Sequence, residues 1–96
     1  MKNLFNISDF VEAQTVQSVT EQLVEREKRR RKKMQLSQKD LAEKSGVTYA
    51  SIRRFESIGE ISFISLLKIA LALDCLDDFN DVFNTAVVRS LKDYKV

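Results

Sequence analysis

The chain has 96 residues, a formal net charge of +2, 44% hydrophobic residues, two glycines and no proline. That is one domain with a modest core, and so few turn formers argue against an all-β chain. The single cysteine, Cys75, excludes an internal disulfide, and without histidine there is no Cys-His zinc site. No apolar run approaches the roughly 20 residues of a membrane span, and no signal-peptide pattern opens the chain, so a cytoplasmic location is expected.

The charge is unevenly placed. Residues 1–25 sum to −3, residues 26–56 to +7 and residues 57–96 to −2. A basic middle with acidic flanks suits a surface that faces phosphates. The bland alternative is a solvated helix face.

Residues 1–17 form an N-terminal arm. Leu4, Phe5, Ile7, Phe10 and Val11 make it too apolar for a freely solvated tail. It either packs on its own domain or on a second subunit or partner. Ser8 or Asp9 with Glu12 could start a short helix there.

The domain proper is expected over residues 18–84. Its first helix spans residues 18–34, with Ser18 and Glu21 as a capping box. Val19, Leu23, Val24 and Met34 supply its apolar stripe. Between them lies EREKRRRKK, whose basic end suits the helix dipole.

Residues 36–56, LSQKDLAEKSGVTYASIRRFE, organise the rest. Ser37 with Asp40 is close to a capping box for a second helix, in which Leu41 and Ala42 face inward. Ser45 and Gly46 stop it, since glycine accepts the left-handed conformation of a sharp helix end. Val47 fills the corner and Thr48 caps a third helix. There Ile52 and Phe55 face the core. Tyr49, Ala50, Arg53 and Arg54 are left outward, with Ser51 at the border. Two helices joined by a short glycine-containing turn set a recognition helix into the major groove of DNA.

The pattern Leu36-Ser37-Gln38, Leu41-Ala42, Gly46-Val47-Thr48, Ser51-Ile52 and Phe55-Glu56 resembles the lambda-repressor/Cro class of helix-turn-helix regulators, the XRE family. SFISLLKIALAL, residues 62–73, looks like the family's fourth helix, and the resemblance covers roughly residues 22–83. It implies an all-α, lambda-repressor-like fold of five helices. It implies a partly buried pair between Arg31 and Glu56, and a phosphate contact from Gln38 at the start of helix two, aided by backbone N–H groups there. Tyr49, Ala50, Ser51 and Arg54 fall at the family's base-facing or near-base positions, beside the cap Thr48. Arginine can make two hydrogen bonds to guanine, and Ala50 can touch a thymine methyl. Arg53 could read a base or a phosphate, and either arginine could contact phosphate alone. Lys32 and Lys33, near the end of helix one, are phosphate candidates. One departure stands out: the family usually has an aliphatic near Glu27.

Residues 57–61 read as a loop pivoting on Gly59, and Ser62 as the N-cap of helix four. Phe63, Leu66, Leu67, Ala70 and Leu73 should close the core over Leu41, Ile52 and Phe55. Ile64 and Leu71, on one stripe with Lys68, either widen that core or face a partner. Helix five is expected over residues 76–84, burying Leu76, Phe79, Val82 and Phe83; the same face serves dimerisation in many relatives. Asp74, Asp77, Asp78 and Asp81 near its start serve the helix dipole better than they would hold a cation. Residues 85–96, the C-terminal extension, could prolong that helix or pair as a short strand in a dimer.

The expected function is sequence-specific binding of double-stranded DNA by a transcriptional regulator, a repressor acting as a homodimer on a palindromic operator. No cofactor and no enzymatic activity are expected, there being neither a nucleophile–base pair nor a phosphate loop. A second reading starts from Arg53-Arg54-Phe55-Glu56, Gly59-Glu60-Ile61-Ser62, Leu66-Leu67, Ala70-Leu71-Ala72-Leu73 and Asp77-Asp78-Phe79. These look like antitoxin-side regulators that bind a kinase-like protein toxin and autorepress their promoter. A third is a protein-interaction module on the same fold.

Overall fold

A computed structural model describes residues 13–87. They form four α-helices, α1 (Val16–Lys33), α2 (Gln38–Ser45), α3 (Tyr49–Ile58) and α4 (Phe63–Ala72), followed by a 3-10 helix, Leu76–Asp81. The described chain is therefore all-α. The expectations for residues 1–12 and 88–96 lie outside the described residues.

Helix α1 starts two residues before the expected position. Thr15, not Ser18, is its N-cap. The Thr15 hydroxyl accepts from the Ser18 backbone N–H at 2.9 Å, and Ser18 Oγ accepts from the Thr15 N–H at 3.0 Å. Two hydroxyls three residues apart satisfy each other's backbone donors, so Ser18 becomes the third helical residue. Glu21, expected in that box, accepts instead from Gln17 Nε2 at 2.9 Å.

The caps of α2, α3 and α4 follow directly from residue chemistry. The Ser37, Thr48 and Ser62 side chains accept from the backbone N–H groups of Asp40, Ser51 and Ser65. Gly46 and Gly59, both at φ 79°, end α2 and α3. Gly59 has a further role: a Cβ built there would lie 2.5 Å from Thr20 Cγ2 of α1. Its missing side chain is what lets the end of α3 approach α1. Helices α1 and α4 end without glycine. Gln35 and Asp74 take left-handed φ of 61° each. Leu36 N–H donates to Arg31 O at 3.1 Å and Cys75 N–H to Ala70 O at 2.9 Å, the long bonds of Schellman-type ends.

The core is built on Leu41, Val47, Ile52, Phe55, Ile69, Ala70, Ala72 and Leu73, with Met34, Leu36, Ala42, Ile61 and Cys75 packed at its margin. Three expectations are corrected here. In α4 it is Ile69 that is fully buried. Phe63 is 63% exposed at the first turn, its ring edge-on to Phe79 with centroids 6.3 Å apart. The buried line runs through Ile69, Ala70 and Leu73, so a residue at the helix start overhangs the core edge. Leu66 and Leu67 are only half-buried. Second, Ile64 and Leu71 are exposed, so they do not widen the core.

Third, the expected fifth helix is present but is shorter than residues 76–84 and is 3-10 in geometry, Leu76–Asp81. The 3-10 helix stops at Asp81, Val82 is extended, and Phe83 takes a left-handed φ of 67°. A stripe at α-helical spacing cannot assemble on six residues of 3-10 geometry, where side chains three apart eclipse. Leu76, Val82 and Phe83 are accordingly exposed, Phe83 completely, and only Phe79 is half-buried. Residues 85–87 are neither helix nor strand. The four aspartates of this region are all exposed.

Candidate nucleic-acid interface

The turn between α2 and α3 fixes everything about the outer surface. Val47 is buried at the corner, and its N–H donates to Ser45 Oγ at 3.1 Å. Thr48 then caps α3, and its hydroxyl donates to Ser51 Oγ at 2.9 Å. Thr48 and Ser51 thus satisfy each other, and Ser51 is half-buried. Ile52 is fully buried and Phe55 nearly so. With its back so anchored, α3 turns Tyr49, Ala50, Arg53 and Arg54 to the exterior, where all four are exposed.

These exposed groups are not free of one another. Two cations lie near the Tyr49 ring, Lys39 Nζ 5.4 Å and Arg53 Cζ 5.5 Å from its centroid. Each distance is within cation–π range. Arg53 is therefore held toward α2, while Arg54 points the other way and donates to the carboxylate of Glu60 in the loop after α3. Both members of that pair are more than 60% exposed.

Beneath α3 lies a buried polar cluster. Arg31 of α1 makes a two-pronged pair with Glu56 of α3: Nε to Oε2 at 2.9 Å and NH2 to Oε1 at 2.8 Å. Its remaining arm, NH1, donates to Leu36 O at 2.9 Å, tying in the segment that enters α2. Gln38 Nε2 donates to Glu56 Oε1 at 3.0 Å. One carboxylate thus aligns α1, α2 and α3. Burial pushes the Glu56 carboxyl up, but the Arg31 guanidinium and the Gln38 amide outweigh it and hold it below the usual carboxylate range. For Gln38 this means its amide is held by the protein while a second N–H remains on Nε2 for an anion.

Glu27 sits in the same cluster and was not anticipated as buried. Neither of its carboxylate oxygens meets a donor. Burial, then the neighbouring Glu56 carboxylate, raise its carboxyl to about 8 despite Arg31 and Lys28. The carboxyl is thereby pushed toward its protonated form. The signal was in the sequence: Val24, Glu27 and Arg31 follow helical spacing, so Glu27 shares the inward face of α1.

Lys32 and Lys33 are exposed in the last turn of α1. An open cleft of about 600 Å³ runs between α1, α2 and α3. Lys28, Lys32, Arg53 and Arg54 stand around it, with Arg31 and Glu56 at its floor. Lys33 lies on the other side, along the groove between α1 and α4. The structure therefore gathers Lys32, Gln38, Ala50, Arg53 and Arg54 and sets Lys33 apart. Lys28 and Lys39 join the surface although sequence reading did not select them. Lys39 faces water on α2, and only the turn brings it to Tyr49.

Two short helices meeting at Gly46-Val47-Thr48, with a second helix buried behind and basic in front, define a helix-turn-helix domain. Residues 28–78 match the helix-turn-helix family model HTH_3. That is just over half of the chain, which belongs to this family of DNA-binding transcriptional regulators. No curated protein and no solved structure gives a significant match. Among the described residues no helix is long and apolar enough to cross a membrane.

Proposed function

We propose that the chain is a sequence-specific repressor that binds a palindromic double-stranded DNA operator as a homodimer. The observation that carries this reading is the two-sidedness of α3: Ile52 and Phe55 buried, Tyr49, Ala50, Arg53 and Arg54 exposed. The exposed side is the one that enters the major groove. Arg54 reads guanine O6 and N7 through two hydrogen bonds, and Ala50 meets a thymine methyl. Arg53, stacked on Tyr49, contacts a base edge or the adjoining sugar-phosphate. Gln38 and the N-terminus of α2 hold one phosphate. Lys28 and Lys32 hold the backbone across the cleft, and Lys33 takes a flanking phosphate.

One such domain makes few base contacts, and a two-fold pair of α3 helices about 34 Å apart supplies the rest. Phe63, Ile64, Leu71 and Phe83, all exposed, offer the apolar surface for that pairing. The same surface supports the antitoxin reading, in which it grips a protein toxin while the helix-turn-helix represses their shared promoter. Selection of bound sites from random duplexes at moderate salt tests the first reading. A two-fold symmetric consensus is expected; a pool with no enriched sequence overturns it. Co-purification of the untagged native protein with a stoichiometric partner of kinase size would establish the second.

A further inference from the structure

Helix α1 does not lie flush on α4. It is tied there by Arg30, whose Nε donates to Leu73 O at 2.6 Å and whose NH2 donates to Asp74 O at 3.1 Å. Beside that tie runs a groove of about 540 Å³, with Val19, Leu23, Leu66, Phe79 and Val82 on its walls. Arg26, Arg29, Arg30 and Lys33 edge it along α1. Of these, Arg26, Arg29 and Lys33 form an ion pair with no acid among the described residues. The channel is apolar, its edge along α1 is basic, Asp78 stands on its other edge, and apart from Lys33 none of its lining takes part in the DNA contact described above.

We propose that this groove is the seat of the chain's own residues 1–12, folded back along α1. Three observations select that occupant. The first is chemistry: Leu4, Phe5, Ile7, Phe10 and Val11 supply five large apolar side chains in twelve residues. The second is charge. Asp9 and Glu12, near the end of the segment that joins α1, outnumber Lys2 among its side chains and are opposite in sign to the α1 rim. Residues 88–96 carry Arg89, Lys92 and Lys95 against Asp93, the wrong sign. A second copy docked two-fold would set one basic rim against another, which costs free energy.

The third is reach. Residue 13 lies two positions before the Thr15 cap, and Val19 lines the groove one turn further on. From Val19 to Lys33, α1 rises roughly 21 Å at about 1.5 Å per residue. Twelve extended residues span roughly 40 Å and one helical piece roughly 18 Å, so either form fills the channel from that end. The docked segment covers the half-buried Cys75 at the far wall and stiffens α1 against α4.

The test uses the full chain and Cys75 as a reporter. Leu4→Ser/Phe5→Ser/Phe10→Ser should raise the rate of Cys75 labelling by a bulky maleimide about tenfold or more, with far-UV circular dichroism retained. Asp9→Lys/Glu12→Lys, which keeps every apolar group, should give a smaller rise that shrinks in high salt. A photo-crosslinker at position 5 should yield adducts within one chain, on Val19, Leu66 or Val82. Unchanged labelling in both variants, or adducts only between chains, overturns the proposal. The second result would assign the segment to another copy. None of these readouts depends on DNA, so failure here leaves the DNA reading untouched, and the reverse.

Discussion

Arg54 of α3 is paired with Glu60 of the loop that follows it, on the open surface of the domain. The arginine proposed to read a base therefore carries its own counter-ion. Both side chains are more than 60% exposed, and such pairs contribute only about 0–1 kcal/mol. DNA can displace Glu60 at small cost, but the displacement belongs to the binding reaction. Glu60→Gln should strengthen binding to duplex DNA roughly two- to fivefold, the equivalent of removing such a pair. Arg54→Ala should cost about 1–3 kcal/mol on the cognate site and relax preference at one base pair. Equal weakening on all sequences would show that Arg54 touches phosphate only. Fluorescence anisotropy on a set of single-base operator variants decides it.

The Arg31–Glu56 pair is a different kind of interaction, since both side chains are at least 92% buried. Its net contribution is limited by desolvation, yet removal of one member leaves the other charge stranded. Arg31→Ala should destabilise the domain by about 3–5 kcal/mol in urea titrations. Because the Glu56 carboxyl is held low, its stabilisation is present above the ordinary glutamate range and disappears as pH falls below it. Paired substitution Arg31→Met/Glu56→Leu should recover much of the loss. A double variant as unstable as the single one would argue that the pair sets the helix geometry and not only its own charge balance.

Glu27 sets the pH dependence on the alkaline side. Its carboxyl is raised to about 8 in the folded chain, chiefly by burial. Between the ordinary glutamate range and about 8 the folded state holds a proton that the unfolded chain has released. Stability is therefore highest at low pH with respect to this group and falls as pH rises through that window. Melting temperature should drop steadily from pH 5 to pH 8.5 in the natural chain. Glu27→Gln, which is neutral throughout, should flatten that slope. Glu27→Met should raise stability outright, by about 1–3 kcal/mol, since no buried polar group is then left without a donor.

Gly59 tests the contact between α3 and α1. Alanine there meets Thr20 Cγ2 at 2.5 Å and must also hold φ at 79°. Gly59→Ala should cost about 1–3 kcal/mol in thermal or urea denaturation. Thr20→Ser removes the obstructing methyl, and in combination with Gly59→Ala it should return only the steric part. Full recovery would mean that the left-handed backbone carries no penalty at this site.

Lys32 and Lys33 are exposed at the end of α1 but face different directions. Lys32→Ala should lower the slope of log affinity against log salt by about one unit for each phosphate that the ammonium group neutralises. Lys33→Ala should have the smaller effect, because only Lys32 borders the α1–α3 cleft. For each variant, titrations on operator and on unrelated duplexes should show the same weakening, as phosphate contacts carry no sequence information.

The local rules acted where one residue's chemistry sufficed. Ser37, Thr48 and Ser62 each cap the helix that follows because a hydroxyl can close its first free N–H. Gly46 and Gly59 end helices because only glycine takes the left-handed turn without strain. The buried Leu41, Ile52 and Phe55 and the outward Arg53 and Arg54 followed from a period of 3.6 residues. Tertiary packing decided what period could not. It placed Ile69 inside and Phe63 outside, because the core ends before the first turn of α4. It ended α1 and α4 at Gln35 and Asp74, with no glycine to announce it. It turned the expected fifth helix into six residues of 3-10 geometry and left Phe83 bare. It also brought Glu27 of α1 and Gln38 of α2 to the Arg31–Glu56 pair that the family resemblance implies. Such a charge cluster depends on distances across the fold, and residue type alone does not carry them.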